Sequence, residues 1–385
     1  MKSFIKQEMK NCMKFFHHKN QFLFIYIVHQ IINSKNIIRI FNIKYNNYYN
    51  YNMSGYTIID YVWIGGHNEL RSKTRVLYKQ VNDLMDVPVW NYDGSSTDQA
   101  TGSSSEVFIY PRRLFKCPFR RPHGFIVMCD TYTPSGEPLP TNHRHDADII
   151  FNKYKNEKPW YGLEQEYFIY DCIRNLPVGF DPSGKQGQYY CSVGGNNCFG
   201  RILVDEHLEA CLYAGIKISG TNVEVAPGQH EFQIGPVEGI DAADQLWIAR
   251  YILEKLSENH GKYIVYDPKP LKGDWNGSGC HTNFSTESMR SDGGYDVIIS
   301  VMDKLASRHK EHMEIYGQNN KERMSGNHET SNYDEFSYGI ASRKASVRIP
   351  NETVENKKGY FEDRRPAANI DPYQVTSKIL QTVME

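Results

Sequence analysis

Trp160-Tyr161-Gly162-Leu163-Glu164-Gln165-Glu166-Tyr167-Phe168-Ile169-Tyr170 is the stretch on which the fold turns. Its aromatic and β-branched residues argue for a strand. Side chains two apart on a strand share a face, so Glu164 and Glu166 stand side by side. Like charges at that range repel unless a cation lies between them or a proton is shared. A solvated face of an edge strand would also tolerate them, but the aromatic neighbours predict a strand packed on both sides.

A second pair lies downstream in GTNVEVAPGQHEFQIG, residues 220–235. Pro227-Gly228 predicts a turn between two short alternating segments, and the hairpin brings Glu224 and Glu231 together across its arms. Many hairpins carry two glutamates. Beside the first pair, they become a candidate site of oxygen ligands of the kind Mg²⁺ or Mn²⁺ requires. DWNGSGCHTNFS, residues 274–285, adds His281 as an imidazole for a metal, although alone a histidine in a Gly-rich loop is more often a hydrogen-bonded loop residue.

The cationic half follows. ASRKASVRIP (341–350) holds Arg343, Lys344 and Arg348, and YFEDRRP (360–366) sets Arg364 and Arg365 beside Glu362. A solvated charged surface explains either segment alone. Arginines also clamp phosphates and carboxylates in bidentate fashion, and with metal-bridging acids they describe a phosphoryl-transfer site.

Composition narrows the alternatives. The 385 residues suffice for two domains, and 40% apolar with 23% charged residues is ordinary for a globular protein. A net charge of -1 gives no electrostatic case for nucleic-acid or membrane binding as the main activity, so neither partner is expected. The eight cysteines contain no C-x-x-C pair and predict free thiols in a reducing compartment.

Along the chain, residues 1–52 differ from the rest: Asn-rich, with eight Lys or Arg against the single acid Glu8. A disordered or weakly helical extension, absent from the mature protein if translation starts at Met53, is the simpler expectation. An organelle-targeting segment is the alternative. Strand signals at Tyr56–Ile64 and Val107–Tyr110 predict a small sheet-rich domain over 54–138. TPSGEPLPTNHRHDA (133–147) reads as an interdomain linker, and 143–385 as a larger domain of mixed α and β. Helical spacing marks Ile240–Asn259, through Leu246, Ile248, Ile252, Leu253 and Leu256, and again Tyr295–Ile315.

Taken in order, these segments resemble the eukaryotic-type glutamine synthetases from about Tyr56 onward. The motifs are WNYDGSSTDQATGSSSEV, WYGLEQEY, YYCSVGG, ACLYAGIKISGTNVEVAPGQHEFQIGP, KGDWNGSGCHTNFST, NHETSN, ASRKASVRIP and KKGYFEDRRPAANIDPY. Any one alone is unspecific; eight in sequence are highly specific. The chain departs from the family at Gly65, where an Asp is usual, at His230, where a Trp is common, and in its Asn-rich lead-in.

The resemblance implies an α+β fold: a small N-terminal β-grasp domain, and a catalytic domain with a curved antiparallel sheet and helices. It implies an ATP-dependent glutamate–ammonia ligase with ATP as co-substrate and two or three Mg²⁺ or Mn²⁺ per site. Glu164, His281 and Glu362 would hold the metal at the ATP phosphates, and Glu166, Glu224 and Glu231 the one nearer glutamate. Arg343 and Arg348 would stabilise the transferred phosphoryl group. Asn276, Gly277 and Arg364 would hold the amino acid. The nucleotide would lie along Glu231, Phe232, Gln233, Ile234, Gly235 and Pro236, with Asn283, Phe284, Ser285 and Arg348. Asp93 would bind ammonium from a neighbouring subunit, although the Asp-Gly pair explains it as a turn residue unaided. Glu329 would close the site. A homodecamer of two pentameric rings and a cytoplasmic location are implied, or a mitochondrial one if the extension is a targeting segment. Other carboxylate–amine ligases, a phosphagen-type kinase and a non-catalytic relative are the rivals; NHETSN and the Asp93 turn speak against the first two, and the intact acids and arginines against the third.

Overall fold

Five strands, β1 (Thr57–Ile64), β2 (Leu70–Leu77), β3 (Trp90–Asp93), β4 (Glu106–Lys116) and β5 (Gly124–Tyr132), form a mixed sheet in the order β2-β1-β5-β4-β3. Its central pair, β1 and β5, is parallel, and every other pairing is antiparallel. The computed structural model describes residues 55–385. The expected extension over 1–52 lies outside the described residues.

Nine further strands build the second sheet: β6 (Trp160–Asp171), β7 (Leu176–Pro177), β8 (Ile218–Val223), β9 (Gln229–Glu238), β10 (Lys262–Val265), β11 (Cys280–Ser285), β12 (Tyr338–Ile340), β13 (Val347–Ile349) and β14 (Phe361–Asp363). The order is β12-β13-β14-β11-β6-β9-β8, with β7 and β10 pairing onto β6. The sheet is curved, and it is antiparallel except at one edge, where β12 and β13 run parallel. Pro227-Gly228 makes the predicted turn. The Gln229 N–H donates to the Ala226 carbonyl at 3.1 Å, and Gly228 sits at φ +70, where a side chain would be strained.

The main helices are α1 (His143–Lys153), α2 (Arg201–Ala214), α3 (Asp241–Asn259), α4 (Gly294–Ser307), α5 (His309–Ile315), α6 (Asn351–Asn356) and α7 (Pro372–Met384). α3 packs against β6, β9 and β10, α2 against α3, and α7 against α1. Leu246, Ile248, Ile252 and Leu253 are fully buried, as their spacing predicts; each stabilises the fold by about 2 kcal/mol relative to exposure. Asp241 and Asp244 provide no side-chain cap for α3. Asp241 takes Arg113 at 2.7 Å, and the buried Asp244 takes Arg144 at 2.8 Å.

Two expectations change in detail. The linker read as 133–147 ends at Asn142, whose side chain accepts from the His145 N–H at 3.2 Å and starts α1. The periodic stretch 295–315 is two helices, broken at Arg308. Thr57–Leu77 and Val81–Glu385 form one compact unit, within which Lys255 of α3 reaches Asp60 of β1 at 3.1 Å. No helix among the described residues is long and apolar enough to cross a membrane. The seven cysteines among them are free, and Cys12 lies outside.

Candidate active site

Glu164 and Glu166 stand on β6 with the buried Gln165 between them. This half of β6 alternates: one face packs on the core and the other lines a cavity, so the strand is not packed on both sides as expected. β11 sets His281 directly across from Glu164, and β14 sets Glu362 across from Asn283, one step along the same face. The result is one group, Glu164, His281 and Glu362, whose candidate ligand atoms lie within 4.8 Å of one another. His281 Nδ1 is 3.6 Å from both carboxylates.

On the other side of β6, β9 places Glu231 opposite Glu166. Glu224 follows β8, with its own N–H held by the Gln229 carbonyl at 2.9 Å. Asn222, not Glu224, is the residue facing Glu231 in the hairpin. Glu166, Glu224 and Glu231 form a second group within 4.8 Å.

The electrostatics of the second group are those of a site built for a cation. Burial, and then the neighbouring carboxylates, push all three glutamates up to about 8. Their partners are neutral donors: Gly279 N–H to Glu166 at 2.9 Å, Asn222 to Glu224 at 2.9 Å, and Gln233 to Glu231. The first group differs. Asn283 donates to Glu164 at 2.7 Å, and Arg364 and Arg348 both pair with the fully buried Glu362. Burial, together with Arg364, holds His281 well below the usual histidine range, so its imidazole is neutral with a lone pair to offer.

Glu164 and His281 of the first group and all three glutamates of the second line a polar cavity of about 630 Å³, with Glu362 buried behind the wall. Asn276, Gly277, Glu329, Arg343, Arg348 and Arg364 share its wall. Gly277 must be glycine, since a Cβ there would lie 2.3 Å from the Pro268 carbonyl oxygen. A more apolar cavity of about 490 Å³ adjoins it at Glu164 and Gln233, lined by Ile234, Gly235, Pro236, Asn283, Phe284 and Ser285. Phe232 is fully buried against Tyr167 and His207 and lines neither cavity. Asp93 also lines neither. It is exposed on β3, accepting from the Ser95 and Ser96 hydroxyls, which hold its carboxyl down at about 2. His230 stacks on Tyr167 and bonds the Phe199 carbonyl at 2.7 Å, a core role.

The structure adds lining residues that the sequence did not reveal, among them Arg323, His328, Tyr190 and Tyr360. Arg323 is buried and donates to the carbonyls of Arg364 and Arg365. In NKERMSG it looks like any arginine on a charged turn, so no local signal marks it.

Comparison with known proteins shows the family. The family described as glutamine synthetase, catalytic domain, matches residues 150–308. A glutamine synthetase homologue of Acanthamoeba polyphaga mimivirus is 70% identical over 336 residues, covering 86% of this chain and 95% of the relative. The glutamine synthetase cytosolic isozyme 1-1 of Oryza sativa subsp. japonica is 55% identical over 344 residues, covering 87% of this chain and 97% of its own. The solved structure of a GmaS/ADP complex shares the fold at a TM-score of 0.69 and 19% identity, over 86% of this chain and 78% of that one. The chain belongs to the glutamine synthetase family.

Proposed function

We propose that the two adjoining cavities work as one site, in which ATP phosphorylates the γ-carboxylate of glutamate and ammonia displaces phosphate from the γ-glutamyl phosphate. Family membership carries the overall reaction: the chain is a glutamate–ammonia ligase that takes glutamate, ammonia and ATP and depends on a divalent metal. The observation that supports the site assignment is the pair of ligand groups set at one arginine-lined cavity, which adjoins an apolar cavity at Glu164.

Glu164, His281 and Glu362 would hold one ion, and Glu166, Glu224 and Glu231 another. Three buried carboxylates met only by neutral donors fit a hard cation, and one neutral imidazole among oxygens fits Mg²⁺ or Mn²⁺, two or three per site. Bound there, the ions neutralise the phosphate and carboxylate charges that must approach each other.

The remaining roles belong to this chain's own side chains. Arg343 and Arg348 face the same cavity as both groups and are placed to stabilise charge on the transferred phosphoryl group. Asn276, Gly277 and Arg364, which line the same cavity, hold glutamate. The apolar cavity takes the nucleotide over Ile234–Pro236 and Asn283–Ser285, with Gln233 at its junction with the polar one and Glu231 inside the polar one. Glu329, 4.0 Å from Arg343, closes the site against water.

Asp93 supplies the ammonium-binding carboxylate to a neighbouring subunit, in a homodecamer of two pentameric rings. Its support is that Asp93 is exposed, ionised and absent from both cavities of its own chain. Residues 54–138 form the β-grasp domain that presents it and 143–385 the catalytic domain. A cytoplasmic location is supported by the cytosolic isozymes of rice and of Vitis vinifera among its relatives. The test is phosphate release in Mg²⁺ and ATP: it requires both glutamate and ammonium, and Glu164→Ala abolishes it. Release that ignores ammonium overturns the assignment.

A further inference from the structure

Gln186 lies in the loop between β7 and α2, outside every role assigned above. Its Oε1 accepts from the Asn276 backbone N–H at 2.7 Å, and its Nε2 meets His328 Nδ1 at 2.8 Å. His328 Nε2 in turn lies 2.9 Å from Asp274 Oδ1. The roles are fixed by chemistry. Only the amide oxygen can accept from Asn276, so the amide nitrogen faces the imidazole; Nδ1 is then the acceptor, and the ring proton sits on Nε2 toward Asp274. One glutamine thus sets a histidine tautomer and ties NHETSN to the 274–277 loop at two points.

NHETSN needs such ties. His328 and Glu329 are consecutive residues with left-handed φ of +51 and +61, a conformation that persists only where the surroundings enforce it. The segment is also held by Arg364 to the Glu329 carbonyl at 3.3 Å, by the Thr330 hydroxyl to the Asn327 and Arg323 carbonyls at 2.7 and 3.3 Å, and by the Ser346 hydroxyl to Ser331 at 3.1 Å, none of which reaches the 274–277 loop.

We propose that Gln186 is a positioning residue that makes closure of NHETSN conditional on an ordered 274–277 loop. This rests on the roles given above to Asn276, Gly277 and Glu329. When the loop holds glutamate, the Asn276 N–H orients the amide, the amide orients His328, and Glu329 stays over the site. When the loop is displaced, the amide is free to turn and the segment loses both ties. Water then adds to the γ-carbonyl carbon of the acyl phosphate, the carbon–oxygen bond to phosphate breaks, a proton leaves to solvent, and glutamate and phosphate are released without glutamine.

The test is phosphate released per glutamine formed, with the KM for glutamate and for ATP, in Gln186→Leu, His328→Asn (asparagine tolerates the left-handed backbone), the double variant and Glu329→Ala. Each of the first two raises the ratio and the glutamate KM by about three- to tenfold, the scale of one hydrogen bond, and leaves the ATP KM unchanged. The double variant is no worse than the worse single, because both changes break one connection. An unchanged ratio in Gln186→Leu with a raised ratio in Glu329→Ala overturns the role of Gln186 alone, as does additivity in the double variant. An unchanged ratio in Glu329→Ala removes the closing role of Glu329, and the coupling falls with it.

Discussion

Arg250 of α3 reaches through the core to Gln165 of β6, donating from Nε to its side-chain oxygen at 2.9 Å. The same guanidinium donates to the carbonyls of Ile370 at 2.8 Å and Ala368 at 3.0 Å, and Gln165 returns a bond to Ala368 at 3.0 Å. All of this is buried and involves no carboxylate. Its consequence lies on the other side of the sheet. With Gln165 pinned toward the helices, Glu164 and Glu166 can only face the cavity, and a one-residue slip of β6 would exchange the faces.

Arg250→Leu therefore strands the Gln165 oxygen and the Ile370 carbonyl in the core and leaves the Ala368 carbonyl with its Gln165 donor alone. Urea denaturation should show a loss of about 2–4 kcal/mol, the range for buried groups left without partners. Arg250→Lys, with fewer donors in a different geometry, should recover only part of it.

Stability without metal should depend on pH in a defined direction. Glu166, Glu224 and Glu231 titrate near 8 when folded against an ordinary 4.5, so between those values the folded chain binds more protons than the unfolded one. Stability contributed by the neutral acids is complete below about 4.5 and is lost as pH rises to about 8. A cation needs the ionised forms, so its affinity rises over the same window. Thermal unfolding in chelator and in Mn²⁺ should give midpoints that diverge from pH 5 to pH 8, with about 2.7 kcal/mol of added stability at a hundredfold excess over Kd.

Glu362 and Asp363 are neighbours on β14 with opposite duties. Glu362 lies on the cavity side of the sheet, behind His281, and pairs with Arg364 at 2.7 Å; Asp363 faces the core and pairs with Arg365 at 2.7 Å, both wholly buried. Tyr316 also donates to Asp363 at 2.8 Å, and His312 bonds Tyr316 at 2.6 Å. Asp363→Asn leaves an unpaired guanidinium in the core and should cost about 3–5 kcal/mol. Glu362→Gln should cost clearly less, because Arg348 and Arg364 border the cavity, yet weaken Mn²⁺ binding. Denaturation and metal titration on both variants separate the two faces.

At Gly277 the prediction is steric. Gly277→Ala pushes a methyl against the Pro268 carbonyl and the Arg323 stem, displacing the 274–277 loop. The glutamate KM should rise roughly tenfold or more while the ATP KM holds, since misplacement of about 1 Å at a binding loop is costly.

Much of this was legible in the residues. Glu164 and Glu166 announced a strand with a shared acidic face because strand alternation is strict, and Pro227-Gly228 announced its hairpin because few residues suit that turn. Helix α3 was visible through its apolar spacing. Other features were hidden because they depend on distant segments. Nothing near Glu224 says that Glu166 of a distant strand joins it and Glu231 in one group; nothing in NKERMSG says that Arg323 is buried at the cavity. The cap at Asn142 was lost in a run of turn residues, and the sequence YFEDRRP could not say which arginine pairs with which acid until the pleat of β14 separated them.

The site assignment stands most directly on counting bound metal. Equilibrium dialysis or electron paramagnetic resonance with Mn²⁺, without nucleotide, should find two ions per subunit in the parent chain. It should find one fewer in Glu164→Ala and one fewer in Glu166→Ala, with glutamine formation abolished in both. A count unchanged by either substitution, or glutamine formation that survives Glu164→Ala, would contradict a site built on these two groups.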